Sequence, residues 1–232
     1  MARLPRLTVP GQVHHIVLNA ATGREIVRDK ADCDSLLECL KEAIEREEAL
    51  LHAYCIVPHQ VRLMLTPASG SGVSRVMQDL GRRYVRRFNH RHGETGSPWG
   101  GRFRSTIVEM GQPVLECLVA NDLLPVNLGL CQRPDEHTEG SYRAYAGLDQ
   151  DRALSPPQAY WALGNTPFAR EAAYAEMVRE GNSQRTTEVI EDAVMHGWPY
   201  GSPSFLEQLQ GQTNRRLVRL APGRPKRPSG KA

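Results

Sequence analysis

Leu51-His52-Ala53-Tyr54-Cys55-Ile56-Val57, then Pro58-His59, then Gln60-Val61-Arg62-Leu63-Met64-Leu65-Thr66 is the stretch on which the fold turns. Two runs rich in β-branched, aromatic and leucine side chains flank a two-residue link, and Pro67 ends the second. That pattern predicts a hairpin of strands 51–57 and 61–66. Side chains alternate across a strand, so Val61, Leu63 and Leu65 share one face while Gln60, Arg62 and Met64 share the other. The first face needs an apolar cover. The second carries a cation and an amide.

Working outward, residues 12–20 contain Val13, Ile16, Val17 and Leu18 and read as a strand. Residues 32–50 read as a helix: Leu36, Leu37, Leu40, Ile44 and Leu51 recur at helical spacing, and Asp32 or Asp34 can cap it. Residues 73–91 form a long amphipathic helix. Its stripe is Val73, Val76, Met77, Leu80, Tyr84 and Phe88, with Arg75, Arg82, Arg83, Arg86 and Arg87 largely off it. A loop with Trp99 leads to a strand at 103–109, then a helix at 113–123 that Pro125 stops. The order β-α-β-β-α-β-α fits a ferredoxin-like α+β domain, helices on one face of an antiparallel sheet and the other face available.

Past residue 132 the composition changes. Residues 134–158 are loop-rich. Thr166-Pro167 opens a helix that Gly181 closes, 186–196 is a second, and Ser202-Pro203 opens a third reaching about 210. The stretch 186–210 resembles a helix-turn-helix, able to enter a major groove or to pack on the preceding domain. Three parts are expected: a sheet domain over 1–132, a loop and helical extension over 133–214, and a basic flexible tail over 215–232.

The chain has 232 residues, 40% apolar and 24% charged, an ordinary globular composition. No apolar run approaches the ~18 residues a membrane span needs, so no membrane partner is expected. Residues 1–10 hold no apolar signal segment, and cysteines 33, 39, 55, 117 and 131 are odd in number without a C-x-x-C pair. A reduced, cytoplasmic setting is expected. The net charge of +3 conceals segregation. Residues 29–48 are net −5, residues 75–104 net +6 and residues 215–231 net +7. Concentrated arginine on a nearly neutral chain suggests a polyanion, or solvated helix faces.

Several stretches agree, in order and spacing, with one family: Ala2-Arg3-Leu4-Pro5-Arg6 with Pro10-Gly11 and His14-His15; His52-Ala53-Tyr54 before Val57-Pro58; Leu80-Gly81-Arg82-Arg83-Tyr84-Val85-Arg86 with Phe88-Asn89; Trp99 with Gly101-Arg102-Phe103-Arg104-Ser105; and Ser141-Tyr142-Arg143. Together they resemble the REP-associated tyrosine transposases of the HUH superfamily, over about residues 2–150. Residues 162–201 resemble that family's C-terminal extension. The resemblance implies a DNA strand transferase. Two histidines on a strand hold a divalent metal, and a tyrosine on a following helix attacks the phosphodiester.

The family's strand reads Met-Pro-Asn-His-Val-His-Leu, where this chain has Val57-Pro58-His59-Gln60-Val61-Arg62-Leu63. The ligand positions therefore fall on Gln60 and Arg62, and an arginine has no lone pair to offer a metal. The family's Tyr-Ile-Glu-Leu-Asn-Pro-Val helix aligns with Ala120-Asn121-Asp122-Leu123-Leu124-Pro125-Val126, putting Ala120 at the nucleophile. The family's Trp-Glu-Gly becomes Trp99-Gly100-Gly101. These departures imply a catalytically inactive member with no metal or other cofactor. Its expected role is sequence-specific DNA binding and transcriptional regulation, nucleoid-associated in the cytoplasm. The alternative is an active transposase or nickase with displaced catalytic residues. His14-His15 point to opposite faces and read as structural, and Tyr84 reads as core. Arg62 could bind phosphate or form a salt bridge.

The expected DNA-binding residues are Arg75, Arg82, Arg83, Arg86, Arg87, Arg102, Arg104, Arg215, Arg216, Arg219, Arg224, Lys226 and Arg227. Arg82, Arg83, Arg86 and Arg87 would form a phosphate ridge on one helix. Gly223-Arg224-Pro225-Lys226-Arg227-Pro228 resembles an AT-hook core that lies in a narrow minor groove. The partner is DNA, a palindromic hairpin or a duplex promoter site, read by a monomer or a homodimer.

Overall fold

The structure is a computed structural model that describes residues 6–218. Strand β1 (Val13–Asn19) leads into helix α1 (Lys30–Arg46), then β2 (Leu50–Val57) and β3 (Gln60–Thr66), helix α2 (Gly72–His92) and β4 (Arg104–Val108). The strands form one antiparallel sheet in the order β2-β3-β1-β4. Two split β-α-β units are thus interleaved, with β1 and β3 central, as the ferredoxin-like reading requires.

The hairpin forms as its sequence dictates. Residues 58 and 59 make the turn, Val57 pairs with Gln60, and the register runs to Leu50 opposite Thr66. An irregularity at His52 lets both Leu51 and Tyr54 face the same helical layer. Val61, Leu63 and Leu65 pack with Ile16 and Leu18 against Leu36, Leu40 and Ile44 of α1 and Val76, Leu80, Tyr84 and Phe88 of α2. Tyr84 is core, and its hydroxyl donates to the Ile26 carbonyl at 2.6 Å. The cap of α1 is Asp29, whose side chain accepts from the Asp32 amide, and not Asp32 or Asp34. Asp32 is buried because its carboxylate receives Arg91, His92 and the Arg28 amide.

The second sheet face is not available, in contrast to the expectation. It is covered by α3 (Gln112–Asp122) with its one-turn continuation α4 (Leu124–Asn127), by short α5 (Tyr142–Tyr145) and α6 (Gln158–Trp161), and by α7 (Pro167–Glu180) and α8 (Gln184–His196). Val13, Ala53, Met64 and Val108 meet Val114, Cys117 and Leu118 of α3 there, with Tyr145, Tyr160 and Tyr174 behind. The physical reason is that β1 alternates apolar residues on both faces, so each face needs a cover. Asp122 ties this layer together, accepting from Ser141 at 3.1 Å and Tyr174 at 2.6 Å.

The extension also reaches both lateral strands. Tyr200 bridges Val108 on β4, its amide donating to Ile107 and its carbonyl accepting from Glu109. On β2, Ile56 donates to Glu139, Ser141 donates to Tyr54, and Ser155 donates to Leu51. Past Tyr200 the chain crosses to the other face of β4. There α9 (Pro203–Gln210) places Phe205 and Leu209 with Leu7, Val9 and Ile107. The helix-turn-helix-like pair α8 and α9 therefore straddles a strand and does not form a groove-reading unit.

His14 and His15 are both fully buried. Burial, partly offset by the Val9 backbone, holds the His14 imidazole at about 4. Burial and the Arg62 charge hold His15 at about 3, with Asn121 opposing them. An unfolded His14 takes up a proton near 6.5, the folded one only near about 4. Folding stability from this site is therefore complete above pH 6.5 and is lost as the pH falls toward 4. Replacing His14 with Leu should flatten the pH dependence of the unfolding free energy by about 1 kcal/mol per pH unit near pH 5. Urea titrations at a series of pH values measure this, and parallel curves for the two proteins would remove His14 as an acid-sensitive group.

Candidate nucleic-acid interface

Helix α2 presents its arginines in two groups. Arg83 pairs with Glu42 at 2.6 Å and with Asp79 at 2.9 Å. Arg87 pairs with Glu38 and Glu42, Arg75 with Glu47 at 2.8 Å, and Arg91 with Asp29 and Asp32. The acidic α1 and the basic α2 lie side by side, and much of the charge segregation is neutralised along their seam. Arg82 and Arg86 are exposed and make no ion pair among the described residues. The four-residue ridge is therefore two outward cations and two that are engaged with carboxylates.

Arg102 is exposed and Arg104 half-buried, and neither has a carboxylate partner among the described residues. Arg6, which sequence reasoning passed over, stacks on Phe103 with its guanidinium 3.7 Å from the ring centre. Arg215 donates to the Gly197 carbonyl at 2.6 Å, and burial lowers its pKa. Arg215 and the exposed Arg216 each lie 6.0 Å from the Trp198 ring centre. Trp198 is itself anchored, its carbonyl accepting from Thr106 on β4. Arg219, Arg224, Lys226 and Arg227 lie outside the described residues.

On the second sheet face Gln60 and Arg62 are neighbours in one fixed array. Gln60 donates to the Asn19 side chain at 2.7 Å and accepts from Arg62 Nε at 2.6 Å. Arg62 is only 5% exposed, and its NH1 meets Glu191 Oε1 of α8 at 2.5 Å. Of the two readings of Arg62, the salt bridge is the arrangement found here. Behind it His15 Nε2 and Asn121 Oδ1 of α3 are 3.0 Å apart. One cross-strand row carries Cys55, Arg62, Val17 and Arg104. Ala120 lies on α3 at a cleft lined by Leu123, Asn127, Asn182 and Thr187. Glu191 gave no local signal in the sequence: it is 129 residues from Arg62 and sits on a mixed-charge helix.

The metal that the resemblance implies does not fit these residues. Arg62 brings a fixed positive charge to one ligand position, and Gln60 has its oxygen on Arg62. Among the described residues no three His, Cys, Asp or Glu side chains converge as a metal site. Tyrosine chemistry meets a similar obstacle. Tyr54, Tyr84, Tyr145, Tyr160, Tyr174 and Tyr200 all donate their hydroxyls to fixed protein acceptors. Burial raises the pKa of each of these and of Tyr142. Gly100 also has a steric reason: a Cβ there would lie 2.4 Å from the Ala20 carbonyl oxygen.

Among the described residues no helix is long and apolar enough to cross a membrane. The family model described as "Transposase IS200 like" matches residues 8–112, which span β1 to the start of α3. The fold is similar to the structure of a REP-associated tyrosine transposase bound to a REP hairpin, with a TM-score of 0.54 at 12% identity, covering 67% of this chain and 98% of that one. A Deinococcus radiodurans R1 protein provisionally described as a transposase aligns with a TM-score of 0.35 at 18% identity, over 47% of this chain and 85% of its own. No curated protein matches the chain in sequence. The sheet domain is therefore similar to the IS200-like transposases over residues 8–112, and the α+β fold is similar to that of a REP-associated tyrosine transposase.

Proposed function

We propose that this protein binds DNA at specific sites without cleaving it, and serves as a transcriptional regulator descended from a transposase. One observation carries the reading: Arg62, at a metal-ligand position by family resemblance, is buried and ion-paired to Glu191; the same resemblance puts Ala120 at the nucleophile position. Cleavage by the family route needs two lone-pair donors there and a free phenol, and this face offers a cation and a methyl group. Arg82, Arg86, Arg102 and Arg104, which have no carboxylate partner among the described residues, support a polyanion partner. A related fold holding a REP hairpin favours a hairpin-forming palindrome as the target, with promoter duplex as the other candidate. A cytoplasmic, nucleoid-associated location follows from that partner, and a hairpin can be read by one chain without a dimer. The basic tail would add sequence-independent affinity.

Selection of bound fragments from the protein's own genome, at physiological salt, tests the reading. A small set of promoter-proximal or palindromic sites with one shared motif is expected. Incubation of those sites with Mg²⁺ or Mn²⁺ should leave no covalent protein–DNA adduct. A 5′-phosphotyrosyl adduct would establish the alternative, an active enzyme with displaced residues.

The arginine split gives a second expectation. Replacing Arg82 and Arg86 with Ala should leave stability within about 0.5 kcal/mol and lower affinity for all DNA sequences. The slope of log affinity against log salt should flatten by about 0.7–0.9 for each phosphate that is no longer neutralised. Replacing Arg83 and Arg87 with Ala should instead cost about 0–1 kcal/mol per ion pair in urea unfolding, with a smaller effect on the salt slope. Equal salt slopes in the two double variants would remove the outward pair from the DNA surface.

A further inference from the structure

Arg62 is a cation that must keep an anion. Its side chain is buried against the sheet, with Gln60 holding Nε and thereby aiming the guanidinium fork toward α8. Glu191 answers it from the rim: the Arg62 side chain is 7% exposed and that of Glu191 is 36% exposed. The carboxylate is therefore the more solvent-exposed partner of the pair. Arg104 adds a second cation. It shares the cross-strand row with Arg62, one strand away on the far side of Val17, so the two backbones are about 9–10 Å apart. Among the described residues Glu191 is the only carboxylate within ion-pairing distance of either arginine. Arg62 thus has one acid and Arg104 none among the described residues, and a tetrahedral oxyanion matches an arginine fork as well as a carboxylate does.

We propose that Arg62 and Arg104 form a phosphate-binding site on this sheet face, with the Glu191 carboxylate as a resident competitor that a phosphate group displaces. The choice of DNA phosphodiester as the natural ligand rests on the DNA-binding reading; the site's affinity for phosphate does not. No bond is made or broken. One anion leaves the guanidinium as another arrives, and Glu191 turns into solvent. The site would couple DNA to the C-terminal extension, because α8 loses its polar tie to β3 when the phosphate takes Arg62.

The test compares wild type with E191Q, and with E188Q, which removes the same charge one turn away without touching Arg62. A labelled DNA hairpin is titrated at several salt concentrations, and thermal stability is measured with and without inorganic phosphate. E191Q should bind the hairpin about 3–10-fold tighter than E188Q, with a log–log salt slope steeper by about 0.7–0.9, the increment for one more neutralised phosphate. Inorganic phosphate should raise the Tm of E191Q more than that of wild type or E188Q. Adding R104A to E191Q should return part of the gain, and that variant alters no buried ion pair. Equal affinity, slope and phosphate response in E191Q and E188Q would overturn the site. If wild type binds no DNA, the DNA-binding reading falls by itself. In that event a phosphate-dependent Tm rise confined to E191Q upholds the anion site for free phosphate, and its absence overturns the site too.

Discussion

The rest of the molecule depends on the alternation of side chains along β1, the strand between β3 and β4. Ile16 and Leu18 point to one side, Val13, His15 and Val17 to the other, and all are buried. A central strand that is buried on both faces cannot be satisfied by one helical layer. The helices α1 and α2 supply the first cover. The second comes from later in the chain, from α3 and from residues of the extension that share its apolar cluster. His15 illustrates the cost of the arrangement. An imidazole enclosed by the sheet and α3 stays neutral to low pH, and Arg62 beside it lowers its proton affinity further.

Much of the architecture was legible from short-range pattern. The hairpin, the α2 stripe with Tyr84 inside it, and the caps at Thr166 and Ser202 follow from period and cap chemistry, and the structure has them. The features that were not legible are relations between segments distant in sequence. Asp29 and not Asp32 caps α1, because Arg91 and His92 claim the Asp32 carboxylate from about 60 residues away. The second cover was missed because α3 is buried on nearly every side and α7 has little amphipathic signal. Four arginines at helical spacing looked like one ridge. Which of them face solvent depends on where α1 lies beside α2, and periodicity alone cannot say that.

Charge in this protein works at two scales. Along the α1–α2 seam, opposite charges that look like surface features in sequence become lateral ties between helices, worth little singly in water but numerous. On the opposite sheet face a single pair, Arg62 with Glu191, joins a buried arginine to a carboxylate at the rim, so the buried cation depends on its partner more than the seam arginines do. Among the described residues, cations left without a carboxylate after both sets are satisfied include Arg82 and Arg86 on α2 and Arg102 and Arg104 at and just before the start of β4.

The chain past residue 132 also decides what the sheet can do with other sheets. Segments 139–141 and 154–155 hydrogen-bond along β2, and Tyr200 does the same on β4, with α8 and α9 clasping that strand from both faces. Few strand groups remain as a template for another chain. Continuous sheets across two molecules, and the strand-to-strand aggregation that open edges invite, are therefore blocked at both sides. Among the described residues, helices and loops are the surfaces left for self-association, and shortening the extension would uncover not only an apolar face but two adhesive borders.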